Sequence, residues 1–252
     1  LAVMGKLVPQ YSDEQPASEL LKEIEAEKQR LVKEGKIKKP KPLHPVTAEE
    51  KPYALPQGGE WVRMGEAFEV TGGIQKTPKR TPLKNHYPYI GVSNVQRGWL
   101  DLSELKRFEI QGGELEKYRL HPNDLLVVEG NGSEQEIGRC AIWGGEEQNC
   151  LHQNHLIRCR PYVRELSAYF LRVLNSPFGM EQMKRLAVTT SGLYNLSVGK
   201  IRGICVSLPP ISEQDRIVAN IDNLMALCDS LDQQIDASTS KQAEWLKALI
   251  HA

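Results

Sequence analysis

Three polar loops hold the side chains of this chain that are best suited to bind nucleic acid. Residues 72–81 combine glycines with cations, residues 94–98 carry amides and a guanidinium, and residues 189–195 carry hydroxyls and an amide. Arginine, asparagine and glutamine can pair with base edges in the major groove, while cations and hydroxyls bind phosphates. Each loop alone is more typical of an ordinary polar surface loop than of a binding site. With one asparagine from a separate glycine-rich turn, the candidate DNA-binding residues are Lys76, Lys79, Arg80, Asn94, Gln96, Arg97, Asn131, Thr190, Ser191, Tyr194 and Asn195.

The motifs of nucleotide-using enzymes are missing from the sequence. It contains neither a Gly-x-Gly-x-x-Gly after a strand-like run nor a Gly-Lys-Ser/Thr P-loop. Residues 129–133 share only glycines with a phosphate loop, and a turn after a buried strand explains them. Pro209 and Pro210 lack the flanking polar and aromatic residues of the amino-methyltransferase tetrapeptide. We therefore expect no catalytic residue on this chain.

One cluster of cysteines and histidines has the composition of a zinc site. Cys150, His152, His155 and Cys159 follow the spacing Cys-x-His-x-x-His-x-x-x-Cys, which differs from the usual zinc knuckle. Residues 155–160 alternate as a strand does, which would send successive side chains to opposite faces. We therefore expect no metal here.

Length and composition indicate one or two globular domains. The 252 residues are 40% hydrophobic and carry no formal net charge, which argues against a globally basic nucleic-acid binder. Residues 60–210 are mildly basic, and residues 211–252 are acidic. No apolar run is long enough to span a membrane, no signal peptide opens the chain, and the five cysteines follow no disulfide spacing. We expect a cytoplasmic protein with reduced thiols, and, because the chain begins at Leu1, a fragment or a trimmed start.

Residues 217–249 predict a long helix with an apolar seam. Positions separated by alternating steps of four and three residues are mostly apolar, which is the repeat of a helix that packs against another helix. At about 1.5 Å per residue this stretch would span about 50 Å, longer than a small domain is wide. Lying flat on its own domain is the alternative. The predicted coiled-coil interface consists of Ile217, Ile221, Leu224, Cys228, Leu231, Ile235, Trp245 and Leu249.

The rest of the chain divides into three parts. Residues 1–35 contain a second helix, predicted over 17–34 and a possible partner for the long one. Residues 36–56 hold five prolines and read as a Pro/Lys-rich linker, either solvated or contacting DNA. Residues 57–210 alternate short strand-like runs with turns, and helices are predicted at about 167–175 and 177–186. The expected fold class is α+β, with a β-rich domain, short helices, and long helices forming an antiparallel coiled coil.

Several stretches resemble a known family when they are taken together. They are YIGVSNVQRG at 89–98, DLLVVEGNG at 124–132 followed by IGR at 137–139, QNHLIR at 153–158, and SGLYNLS at 191–197 leading into LPPISEQDRIV at 208–218. With GKLVPQ at 5–10 and ASELL at 17–21, they resemble the specificity subunit of type I restriction-modification systems. The resemblance covers nearly the whole chain.

The resemblance implies a target-recognition domain over about 57–210 that reads one half of a bipartite DNA site. It implies that the helix over 211–252 belongs to a coiled-coil spacer that sets the distance to the other half-site. Catalysis would lie on partners, namely modification subunits that bind S-adenosylmethionine and restriction subunits that use ATP and Mg²⁺.

The chain departs from the family because it has one recognition domain where two are usual. It therefore resembles the C-terminal half of a subunit, or a half-length subunit that forms a homodimer on a palindromic site. A helical scaffold for subunit assembly, with little DNA specificity of its own, is the alternative function.

Overall fold

The computed structural model describes residues 2–131, 136–190 and 193–250. Its α-helices are α1 (Ala17–Lys33), α2 (Met64–Ala67), α3 (Glu114–Tyr118), α4 (Leu166–Asn175), α5 (Pro177–Leu186), α6 (Val198–Gly203) and α7 (Ile211–Ile250). Its strands are β1 (Glu60–Arg63), β2 (Phe68–Gly72), β3 (His86–Ile90), β4 (Lys106–Glu109), β5 (Leu125–Val128), β6 (Gly130–Asn131), β7 (Cys140–Ile142), β8 (Leu151–His152), β9 (Leu156–Pro161), β10 (Val188–Thr190), β11 (Leu193–Asn195) and β12 (Cys205–Leu208). The predicted α+β class is confirmed.

The main sheet has the antiparallel order β2-β9-β5-β7, and both of its faces are covered. Alternate residues of a strand point to opposite faces, and in β5 all four side chains are buried because each face meets its own apolar cluster. Leu125 and Val127 pack with α1, α4 and α6, while Leu126 and Val128 pack with Trp143 and the loops beyond β3. A continuous apolar run is therefore what this central strand requires.

The described residues form three smaller sheets besides the main one. Strand β3 lies between β4 and β8, β1 pairs with β12, and β11 pairs with both β10 and β6. The pair β1-β12 joins the two ends of the predicted recognition domain, with Glu60 opposite Leu208. This pairing brings the start of α7 close to the residues that follow the linker.

Residues 36–56 are largely extended, as their prolines require, but they are held against the domain. The guanidinium of Arg63 donates to the carbonyl oxygens of His44 and Pro45 at 3.1 Å each and forms an ion pair with Glu50 at 2.6 Å. This ion pair, with the backbone N–H of Thr47, lowers the pKa of Glu50 to about 2. The linker is thus fastened at its midpoint.

Helix α7 starts on the domain and then leaves it. Ile217 is buried, Ile221 is half-buried against the main core, and Arg172 of α4 forms an ion pair with Asp222. Every residue from Asp222 to Ala243 is exposed, including the seam residues Leu224, Cys228, Leu231 and Ile235. For Trp245 and Leu249 the structure places only the backbone, within α7.

The predicted pairing of α1 with α7 is wrong for the described part of the chain. The apolar face of α1 is already used, because Ala17, Leu20 and Ile24 are buried in the main core. Helix α1 is also too short, since its 17 residues extend about 25 Å and the 40 residues of α7 extend about 60 Å. Cys228, expected to be a buried thiol of the seam, is exposed.

Among the described residues, no helix combines the length and the apolar character that crossing a bilayer would need.

Candidate nucleic-acid interface

The main sheet collects several loops at one of its ends. Because β9 is antiparallel to β2 and β5, the ends of β2 and β5 both lie beside the start of β9, and β7 begins there too. The end of β3 joins them, since the backbone N–H of Gln153 donates to the carbonyl of Ile90 at 3.0 Å. We call residues 73–76, 91–98, 129–131, 136–139 and 153–155 the loop end of the domain.

Gly73 allows two of these loops to approach closely. A Cβ at this position would lie 2.4 Å from the carbonyl oxygen of His152 and 2.3 Å from that of Gln153. The backbone of Ile74, next in the chain, donates to the His152 carbonyl at 2.9 Å. Any larger residue at position 73 would push the first predicted loop away from the loop before β9.

The third predicted loop reaches the same place through a small sheet. Strand β6 follows β5 directly and pairs with β11, so that Asn131 lies opposite Tyr194 and Gly130 lies opposite Asn195. Thr190, at the end of β10, lies opposite Leu193. The backbones of four predicted residues are thereby brought together, while Ser191 lies outside the described residues.

A polar cleft of about 350 Å³ opens at the end of β3, between the first and second predicted loops. Lys76 and Asn94 line the cleft together with Ser93, Lys106 and Gln153. Gln153 and Lys106 were not among the predicted residues. Gln153 belongs to the stretch 153–158 that carries the family resemblance, but its place in the cleft with Lys76 depends on the bridge from Ile74 to Gln153, which no local pattern predicts.

Asn94 holds its own loop in shape. Its Oδ1 accepts from the backbone N–H of Gly91 at 2.9 Å, and its Nδ2 donates to the carbonyls of Asp101 and Glu104 at 2.8 and 3.0 Å. The side chain is buried, and these bonds use both of its donor hydrogens. In this conformation Asn94 holds the wall of the cleft in shape. The neighbouring side chains that line the cleft, such as Lys106 and Gln153, are the ones that a ligand can reach.

Gln96 and Arg97 occupy a turn at the loop end. Arg139 donates to Oε1 of Gln96 at 3.4 Å and to the carbonyl of Val92 at 3.3 Å, and Arg97 donates to Oδ1 of Asn175 at 3.3 Å. These bonds connect the turn to β7 and to the end of α4. The turn is consequently fixed to the rigid part of the domain.

The predicted cations of the first loop do not form one patch. Lys76 lies at the cleft, whereas the guanidinium of Arg80 forms an ion pair with Glu114 at 2.7 Å, near the opposite end of β3. This pair lowers the pKa of Glu114 to about 2. Lys79 is exposed in the same short turn as Arg80. Arg80 therefore anchors the loop in this conformation.

One carboxylate at the loop end is destabilised by its surroundings. Burial raises the pKa of Glu129, and His155, whose Nδ1 lies 3.8 Å from Oε2 of Glu129, partly opposes that rise. The backbone of Glu129 joins two loops, because its N–H donates to the carbonyl of His155 at 2.9 Å and its carbonyl accepts from Leu196 at 2.7 Å.

The cysteine and histidine cluster is spread through the core. Cys150, His152 and Cys159 are buried while His155 is exposed, and the described residues contain no group of three or more side chains placed to hold a metal ion. Burial raises the pKa of Cys150 to about 12 and raises that of Cys159 well above its ordinary value. These thiols are packing residues.

A rigid sheet that carries amide-rich and cationic loops at one end defines a recognition domain, in which the loops make the contacts and the sheet positions them. Residues 56–238 match the model of the family described as type I restriction modification DNA specificity domain. The chain belongs to this family.

Known relatives support the assignment. The chain is 35% identical to the type I restriction enzyme EcoAI specificity subunit of Escherichia coli and 31% identical to the EcoEI specificity subunit of the same organism. Each alignment covers 100% of this chain and 43% of the relative. The chain thus spans less than half the length of these curated relatives.

Solved structures share the fold at low sequence identity. The HsdS subunit from Thermoanaerobacter tengcongensis gives a TM-score of 0.51 at 18% identity, over 86% of this chain and 47% of that chain. A chain from a structure on the assembly and conformational transition of the type I R-M system gives a TM-score of 0.52 at 19% identity, over 86% of this chain and 48% of that one.

Proposed function

We propose that this chain recognises DNA within a type I restriction-modification complex and that its domain reads one half of a bipartite site. The observation that carries the proposal is the convergence of the first two predicted loops at the loop end, to which the third is joined by the pairing of β11 with β6. Lys76 and Lys106 line the cleft as phosphate-binding groups, and Gln96 and Arg97 lie in the neighbouring turn as base-reading groups that would have to exchange their bonds to Arg139 and Asn175 for bonds to DNA. The relatives, which are named as specificity subunits, point to the same function.

Catalysis belongs to other subunits in this proposal. The modification subunits would bind S-adenosylmethionine and methylate DNA, and the restriction subunits would use ATP and Mg²⁺. This chain would supply recognition of the DNA sequence. Its candidate site consists of amides, hydroxyls and cations, which bind DNA without transferring a group to it.

The proposal is tested by reversing two charges at the cleft. Lys76 and Lys106 are exposed cations on its rim, and the double variant Lys76→Glu/Lys106→Glu is expected to weaken binding of a selected duplex by about tenfold or more at physiological salt. The slope of log K against log salt is expected to fall by about 1 for each lost phosphate contact. Fluorescence anisotropy with a duplex selected from a randomised library by the unmodified chain gives both quantities.

A matched control lies on the other side of the domain. Lys39 and Lys41 line a groove beside Gly65, just before β2 begins and therefore away from the loop end. The variant Lys39→Glu/Lys41→Glu makes the same change in net charge and is expected to retain duplex binding. Equal losses in the two variants would contradict recognition at the loop end and indicate a general electrostatic attraction.

Helix α7 is the proposed spacer and docking element. Its exposed strip of Leu224, Leu227, Leu231 and Ile235 is between 47% and 61% exposed, in a helix that extends well beyond the domain. An apolar strip of this length is stable in water when a second helix covers it. We propose that an antiparallel helix from the other half of the subunit, or from a second copy of this chain, covers it and that modification subunits dock on the pair.

Placing charges on the strip tests this part of the proposal. The variant Leu231→Glu/Ile235→Glu is expected to abolish self-association because it buries two carboxylates at the helix interface. Gln233→Glu/Ala237→Glu adds the same charges on the opposite face of α7 and is expected to associate normally. Sedimentation velocity compares both variants with the unmodified chain, and unchanged self-association of Leu231→Glu/Ile235→Glu would show that the strip is not the interface between copies.

The exposed strip also favours the second candidate function, a scaffold that assembles subunits without reading DNA. The two sets of variants separate these functions. If Lys76→Glu/Lys106→Glu binds every duplex as the unmodified chain does while assembly survives, the scaffold is the better description.

A further inference from the structure

Trp99 presents an aromatic ring to solvent at the loop end. It is 59% exposed, and it follows Gln96, Arg97 and Gly98 in the turn described above. Another exposed large hydrophobic, Leu83, lies before the start of β3, at the opposite end of that strand. Tryptophan is among the residues that contribute most to binding when a partner covers them. An exposed tryptophan beside an arginine and a glutamine is therefore a candidate contact residue.

The turn that carries Trp99 is preorganised. The backbone N–H of Gln96 donates to the carbonyl of Trp99 at 2.9 Å, and Val95 and Leu100 form a β-bridge across its base. Gly98 takes a φ of +94°, which side-chain-bearing residues rarely adopt, and its N–H donates to the carbonyl of Cys140 at 2.9 Å. The backbone that carries Trp99 is therefore already ordered, and it loses little conformational entropy when a ligand binds.

The position of the turn indicates which ligand the ring would meet. Cys140 begins β7 at the loop end, and Arg139, one residue earlier, donates to the side chain of Gln96. The ring therefore stands on the face that carries the base-reading and phosphate-binding groups. Apolar side chains on such faces pack on the methyl group of thymine or insert between base steps, where they deform the duplex.

We infer that Trp99 is a DNA-contacting residue that packs against a base of the half-site and contributes to its selection. The inference rests on the proposed DNA recognition and adds to it an apolar, ring-mediated contact next to the polar ones. It commits the ring to DNA, and a protein partner at this turn is an outcome of the test.

Three variants of the chain test the inference. Trp99→Ala is expected to weaken binding to the selected duplex by about tenfold and to relax base preference at one or two adjacent positions. Trp99→Phe, which keeps a ring, is expected to retain most of the affinity. Leu83→Ala removes an exposed side chain at the other end of β3 and is expected to change neither quantity. Repeating the library selection with each variant gives the base preferences.

A second readout does not depend on affinity. Stacking of a base on the indole is expected to change the tryptophan emission of the unmodified chain when saturating duplex is added, and this change is expected to vanish in Trp99→Phe. Unchanged base preference in Trp99→Ala, together with the same emission change in Trp99→Phe as in the unmodified chain, overturns the inference while DNA recognition stands. Loss of modification-subunit binding with intact duplex binding assigns Trp99 to a protein interface and also overturns it. Failure of the unmodified chain to select any duplex overturns the proposed function itself.

Discussion

Replacing Asp124 by alanine is expected to lower the free energy of unfolding by about 3 kcal/mol, because it removes the fully buried carboxylate of an ion pair with the partly buried Arg160. The Asp124 side chain is fully buried and accepts from Nε and Nη2 of Arg160 at 2.8 and 2.7 Å. It also accepts from the backbone N–H of His121 at 2.7 Å. Without the carboxylate, the guanidinium is left facing Arg158 in the same region.

Urea denaturation measures this loss. Trp143 is a suitable reporter, since its side chain is buried and its backbone N–H donates to the backbone carbonyl of Asp124 at 2.8 Å. Glu27→Gln, which breaks an exposed ion pair with Arg30 on α1, is the matched control and is expected to cost less than about 1 kcal/mol. A double variant, Asp124→Leu/Arg160→Leu, is expected to regain part of the loss because no buried charge remains unpaired. A cost of Asp124→Ala as small as that of the control would contradict the buried-pair account.

The stability of the domain is expected to fall steeply as the pH is lowered, because of His152. Burial is the main cause that lowers the pKa of this imidazole to about 3, and the positive charge of Arg158 contributes to the same shift. Its Nδ1 lies 3.1 Å from the carbonyl of Tyr118, which fits a neutral ring donating from Nδ1. The described residues provide no hydrogen-bond partner for its Nε2. The folded chain thus keeps this histidine neutral.

The sign of the effect follows from proton uptake. The unfolded chain protonates His152 below its ordinary pKa of about 6.5, whereas the folded chain does so near 3. Between these values the unfolded state holds the extra proton, so this one group removes about 1.4 kcal/mol of stability for each unit of decrease in pH. Above about 6.5 both states are neutral and the contribution is constant.

Comparing pH profiles of unfolding isolates this histidine. His152→Gln keeps a donor for the Tyr118 carbonyl and removes the titration, so its unfolding free energy is expected to vary less between pH 6.5 and 4 than that of the unmodified chain. His44→Gln, at an exposed position, is the matched control. Parallel profiles for His152→Gln and the unmodified chain would show that His152 takes up its proton alike in both states.

The long helix shows how far a periodic pattern can be interpreted. The repeat from Ile217 predicted a helix that leaves the domain, and α7 does so from Asp222 onward. The pattern could not identify the partner, because an apolar seam specifies that a helix must be covered and not by which segment. Helix α1 has a similar amphipathic pattern, and its apolar residues Ala17, Leu20 and Ile24 are buried in the core of its own domain.

The candidate site likewise separates what residue types indicate from what the tertiary structure decides. Residue types in the three loops indicated which groups could bind DNA, but not which of them are free. Asn94 and Arg80 had suitable chemistry, yet their side chains are committed to the backbone around the cleft and to Glu114. Residue type and spacing do not single out Gln153 or Trp99, because the place of Gln153 depends on a bridge to the distant Ile74 and that of Trp99 on the exposure of its ring.

The sequence by itself determined the α+β class, the existence and approximate position of α1 and α7, and the family to which the chain belongs. These properties depend on local periodicity and on contiguous motifs, and both can be recognised from the order of the residues alone. The tertiary structure alone decided that the loops gather at one end of the sheet, that α1 belongs to the core, and that Trp99 stands among polar groups. Strand order and register fix those neighbours through hydrogen bonds between distant residues, and no local pattern specifies them.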